Sequence, residues 1–148
     1  DLIQQSGIKI RASSGPAVAH LFMDQKSKVA ALSFFSKQAN IQAYDKHDLP
    51  ESFHLNHPTR TGDIVLITDP PNMFTNSVNA QPKGMHGYSP QLPDMRGIFY
   101  AIGAAIEHKE LGPVHQIDLA PTIADILGIE DTDHMQGKAI SLKDESKH

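Results

Sequence analysis

Ile64-Val65-Leu66-Ile67 is the segment that most restricts the fold, because four consecutive apolar residues, three of them β-branched, leave no face for water. Thr61-Gly62-Asp63 precedes the run and Asp69-Pro70-Pro71-Asn72 follows it, so turn-forming residues hold it to strand length. A strand with no polar face must be covered on both sides, as in a parallel or mixed sheet between helices. The rest of the chain has to supply that cover.

Upstream, Ile8, Ile10 and Ala12 alternate with Lys9 and Arg11, which predicts a short half-buried strand. Ser13-Ser14-Gly15-Pro16 supplies a turn, and residues 17–23 read as a second strand, so the two form a hairpin. Asp24 is placed to cap a helix over residues 25–39, whose Val29, Leu32, Phe35 and Ala39 fall on one face. Ile41 to Tyr44 adds a further strand, and Asp48 to Glu51 a turn or helical start.

Downstream, residues 75–83 are polar and lack periodicity, which predicts a long loop of the kind that often carries function. Gly97-Ile-Phe-Tyr-Ala-Ile102 repeats the buried-strand pattern and ends at Gly103. A helix follows over 118–127: Leu119, Ile123, Ile126 and Leu127 share a face, Pro121 sits in the first turn, and Gly128 stops it. Lys143 to His148 reads as a frayed tail. The fold class is α/β.

At 148 residues, with 39% hydrophobic and 20% charged side chains, the chain can close an ordinary core. Its net charge of −4 is spread along the sequence, so no basic footprint for a nucleic-acid polymer is present. No apolar run reaches the roughly 18–20 residues that span a bilayer. Cysteine is absent, so a transition metal would need His and carboxylate ligands. The first residue is Asp1 rather than Met, and we expect the parent polypeptide to continue upstream.

Nine histidines make metal chemistry worth testing residue by residue. His54 and His57 have the spacing of a ligand pair on a helical turn, but Pro58 disfavours helix at His57, and surface histidines are the simpler reading. Asp69 with Asp94, and Asp131 with Asp133, are paired carboxylates whose simpler reading is solvated loop acids. His86 stands apart, since Gly84 and Gly87 beside it let a loop approach closely and aim the imidazole. Its local chemistry still leaves a solvated turn as the alternative. Neither a Walker-type phosphate loop nor a Gly-x-Ser-x-Gly elbow occurs.

Residues 84–99, Gly-Met-His-Gly-Tyr-Ser-Pro-Gln-Leu-Pro-Asp-Met-Arg-Gly-Ile-Phe, resemble the signature of the type I phosphodiesterase/nucleotide pyrophosphatase family, within the alkaline phosphatase superfamily. Ile117 to Ile129 resembles the family's following helix, and Pro58 to Leu66 its approach to a core strand. The strong resemblance covers about residues 58–140, and the first part is similar only loosely to a variable insert. Three motifs in one order are more specific than any alone.

The resemblance implies part of an alkaline-phosphatase-like sheet-and-helix core over residues 61–142, with a smaller α+β insert-like unit over 1–60. It implies a hydrolase of phosphodiester or nucleotide pyrophosphate bonds, with a Thr or Ser nucleophile and a pair of zinc ions. The family's zinc-binding His falls on His86. The nucleophile and the Asp-His-Gly ligands are not found here, so this chain alone should bind zinc weakly and catalyse little.

Asp118 is better explained as a helix cap than as a catalytic acid, and Tyr88 and Arg96 are candidates for the cleft or for packing. Exposed sheet edges would favour a homodimer. A phosphomonoesterase, phosphonate hydrolase or sulfatase-like parent is the near alternative. The rival from another class is a non-catalytic scaffold or binding domain on the same fold. Neither the compartment nor the exact substrate is legible, although a periplasmic or extracellular parent is consistent with the family.

Overall fold

The computed structural model describes residues 1–77, 79, 84–103 and 106–142. Asp1–Arg96 and Gly97–His148 form two compact units. In the first, helix α1 (Leu2–Ser6) is capped by Asp1, whose Oδ1 accepts the Ile3 N–H at 2.9 Å. Strands β1 (Arg11–Ser14) and β2 (Val18–Phe22), helix α2 (Gln25–Phe35), and strands β3 (Gln42–Asp45) and β4 (Ile64–Ile67) follow. The sheet has the order β1-β2-β4-β3, with every neighbouring pair antiparallel.

β4 is buried along its whole length, as its composition demands, but its direction differs from expectation. The sheet is antiparallel because β2 reaches β4 across the sheet and β3 returns beside it, with no parallel crossover. Residues 61–67, expected to open a separate core region, thus share one sheet with residues 11–45. One face carries Ala19, Leu21, Ile64 and Leu66 against Ala31 and Phe35 of α2. On the other, His20 and Tyr44 flank the buried Val65, and Phe53 meets Tyr44 edge-on at 6.1 Å.

The hairpin forms, with its first strand moved three residues downstream; Ile8 and Ile10 pack against the core before β1 starts. Helix α2 is shorter than expected. Lys37 and Gln38 donate to the carbonyls three residues back, and Asn40 adopts a left-handed φ of 62°, so the chain turns before residue 39 can join the helix. Its buried stripe runs through Ala31 and Phe35, leaving Val29 80% exposed. The Asp24 side chain makes no cap bond.

In the second unit, helix α3 (Leu119–Leu127) ends at Gly128, whose φ is 70°, as the sequence predicts. Its buried side is Pro121, Thr122 and Ala124, while Ile123, Ile126 and Leu127 are exposed. Thr122 explains part of this choice: its hydroxyl donates to the Asp118 carbonyl at 2.5 Å and accepts the Ile140 N–H at 2.8 Å, tying the 138–142 segment to that side. The strand expected near 98–102 does not form. Ile98, Tyr100 and Ile102 are 98%, 80% and 80% exposed, and a strand requires partner N–H and C=O groups that the described residues of this unit do not set beside it.

Candidate metal-ligand site at His86

The neighbourhood of His86 begins where β4 ends. The Thr68 N–H donates to the Ala17 carbonyl at 3.0 Å and its hydroxyl to the Asn40 carbonyl at 2.6 Å, which holds the strand exit against β2 and the start of β3. A tight turn follows: the Asn72 N–H and side-chain amide both donate to the Asp69 carbonyl, at 2.9 and 3.1 Å. The Phe74 N–H then donates to the Pro16 carbonyl at 2.7 Å, returning the chain to the hairpin turn.

The segment carrying His86 is fastened to this end of the sheet. Tyr88 is 7% exposed, and its hydroxyl donates to the Asn72 carbonyl at 2.8 Å. Gly87 has a φ of 84°, a left-handed conformation that favours glycine, and a Cβ built there would lie 3.9 Å from the Ala17 methyl. His86 is exposed, and its ring makes no hydrogen bond or ion pair with the described residues. An accessible imidazole with neither ring nitrogen engaged is a fit donor for zinc. One donor does not make a site, and among the described residues no three His, Cys, Asp or Glu side chains gather to hold a metal.

Among the described residues, no other sequence candidate forms a group of three possible metal ligands. His54 takes a left-handed φ of 48° at the end of the single turn Glu51–Phe53. The His57 Nδ1 accepts the Thr59 and Arg60 N–H groups, each at 3.3 Å, so its lone pair shapes a local turn. Asp69 accepts the Gln42 side-chain amide at 2.8 Å, and Asp131 lies 3.9 Å from His134. Asp118 occupies the N-cap position, yet its carboxylate accepts the Lys138 N–H at 2.9 Å instead of capping α3. Arg96 is exposed, whereas Tyr88 serves packing.

Two polar groups escaped the sequence reading. His20 accepts the Gly62 N–H on Nδ1 at 3.2 Å, and burial holds its pKa below the ordinary imidazole value. Asp45 is pushed upward by burial, but the Lys28 ammonium at 2.6 Å and the His47 N–H outweigh this and leave its pKa below the ordinary value. Both residues sit in short strands, but Gly62 and Lys28, their partners, come from distant segments. Among the described residues, no helix is long and apolar enough to cross a membrane.

A family model described as type I phosphodiesterase / nucleotide pyrophosphatase matches residues 6–89, which is more than half of the chain. The chain belongs to that family. The match takes in the sheet, α2 and the His86 segment, so likeness reaches further upstream than the motifs alone indicate. A Bos taurus protein named bis(5'-adenosyl)-triphosphatase ENPP4 is 30% identical over 118 residues, 78% of this chain and 25% of the relative. Its Homo sapiens counterpart is 30% identical over 93 residues, covering 62% and 20%. Human ectonucleotide pyrophosphatase/phosphodiesterase family member 5 is 30% identical over 97 residues, covering 64% and 20%. The chain therefore spans a fifth to a quarter of the length of these relatives.

Proposed function

We propose that this chain is the carboxyl-terminal portion of the catalytic region of a zinc-dependent phosphodiesterase/nucleotide pyrophosphatase, with His86 as one zinc ligand. The observation that carries the reading is the exposed, unengaged His86 imidazole on a loop fastened to the sheet, inside the segment matched to the family. On this reading the 98–102 segment and the exposed face of α3 belong to an alkaline-phosphatase-like core, completed by residues beyond this chain. Their apolar exposure supports it, because Ile98, Tyr100 and Ile102, and likewise Ile123, Ile126 and Leu127, are large side chains that another part of a longer polypeptide could cover.

His86 would donate one ring nitrogen to the metal, and the fastened loop would hold the ring in place. Zinc, when bound, supplies a Lewis acid that polarises a phosphoryl oxygen. The nucleophile and remaining ligands would come from elsewhere in the polypeptide. Substrates carry a phosphodiester or nucleotide pyrophosphate bond, with bis(5'-adenosyl) triphosphate a reasonable first probe given the name of the bovine relative.

The test compares His86→Ala with the parent sequence in the longer polypeptide, reading zinc by mass spectrometry and hydrolysis of bis-p-nitrophenyl phosphate and bis(5'-adenosyl) triphosphate. Loss of zinc from one position and a fall in kcat/KM of about 100-fold are expected. Unchanged zinc content and turnover would remove His86 from the site.

A further inference from the structure

We infer that Tyr88 is a positioning residue for His86, acting through a hydrogen-bonded chain that runs from the loop to the edge strand β3. The inference rests on His86 being a metal ligand, and it adds what holds that ligand in place. A side chain on a free loop would lose conformational entropy on binding a metal, so a loop already fastened binds more tightly. Groups that orient a ligand without touching the metal typically change affinity by about 10- to 100-fold.

The geometry separates two side chains that are only two positions apart. The left-handed turn at Gly87 lies between the exposed His86 ring and the buried Tyr88 ring. Burial of a phenol requires a partner for its hydroxyl, and the Asn72 carbonyl at 2.8 Å provides it. That carbonyl belongs to a turn closed by two bonds from Asn72 to the Asp69 carbonyl. The Asp69 carboxylate accepts from the Gln42 amide at 2.8 Å, and Gln42 accepts from the Tyr44 hydroxyl at 2.8 Å. Two of the links, Tyr88 to Asn72 and Gln42 to Asp69, join distant parts of the chain, so the loop is tied to the sheet through the Asp69 turn.

Tyr88→Phe removes the hydroxyl and keeps the ring. In the longer polypeptide, zinc release to a chromophoric chelator should be about 10-fold faster, and the visible spectrum of the cobalt-substituted protein should change. In the 148-residue chain, hydrogen exchange in the loop at the hydrogen-bonded Asn72 and Phe74 amides should quicken about 10-fold while the β4 amides keep their rates. Gly87→Ala, strained at a φ of 84°, should reproduce the zinc effect and guards against a folding defect peculiar to Tyr88→Phe. Unchanged release and spectra in both variants, or exchange that quickens equally in the loop and in β4, overturns the inference. A wild-type zinc content in His86→Ala would instead sink the ligand reading beneath it.

Discussion

Gly62→Ala should be among the most damaging small substitutions in this chain. A Cβ at residue 62 would stand 2.7 Å from the Leu21 nitrogen, 2.8 Å from the Leu21 oxygen and 3.0 Å from the His20 carbonyl carbon. All three are backbone atoms of β2, which pairs with β1 on one side and β4 on the other, so no flexible side chain can yield. Reaching the lower bound of ordinary contact, 3.4 Å, means opening the gap by 0.7 Å from 2.7 Å. That movement also stretches the 3.2 Å bond from the Gly62 N–H to His20. Overpacking of this kind costs about 1–3 kcal/mol and a weakened hydrogen bond about 1 kcal/mol more, so the expected loss is about 3 kcal/mol. With a urea slope of about 1.5 kcal/mol/M, the unfolding midpoint falls by about 2 M. Gly15→Ala in the hairpin turn, where a Cβ meets only the Val18 oxygen at 3.9 Å, is the matched control and should cost about 1 kcal/mol or less. Urea unfolding followed by far-ultraviolet circular dichroism reads both. Equal midpoints for the two variants would refute the packing argument.

The α2 interface makes its own contrast: Phe35→Ala should lose about 3–5 kcal/mol, whereas Val29→Lys should stay within about 0.5 kcal/mol, measured by the same unfolding assay. A large loss at Val29 would mean that the helix is rotated from the orientation described. The pH response is set by two groups whose folded pKa values are depressed. For His20 the unfolded chain binds the proton more readily, so its contribution is complete above the ordinary imidazole pKa near 6.5 and is lost as pH falls through the folded value. Asp45 behaves likewise from the carboxylate value of 3.8 downward, because protonation ends its pairing with Lys28. Urea midpoints should therefore decline in two steps on acidification, and His20→Asn should remove the upper one; a variant with an unaltered upper step would reject the assignment.

Local chemistry was legible wherever neighbours in sequence are also the partners. The hairpin follows from the Ser13-Ser14-Gly15-Pro16 turn between an alternating segment and an apolar run, although Ser13 and Ser14 join β1, and α3 from Pro121 near its start and Gly128 at its end. His86 could be singled out because Gly84 and Gly87 stand on either side of it. Tyr88 was legible as a member of the same motif, but its bond to Asn72 crosses 16 residues and depends on the Asp69 turn. Likewise, Asp118 was recognisable at a helix start, whereas the choice of Lys138 as its partner was not.

The sequence by itself determined that Ile64–Ile67 must be a strand covered on both faces, since no arrangement of four adjacent apolar side chains leaves a wet side. It also identified the family. Only the tertiary structure decided that the strand runs antiparallel between β2 and β3, that α2 turns Ala31 and Phe35 inward, and that residues 98–102 lack strand partners among the described residues. Those outcomes depend on which backbone and which surface arrive from elsewhere in the chain. Side-chain alternation records a preference to be covered, but pairing and direction belong to whatever does the covering.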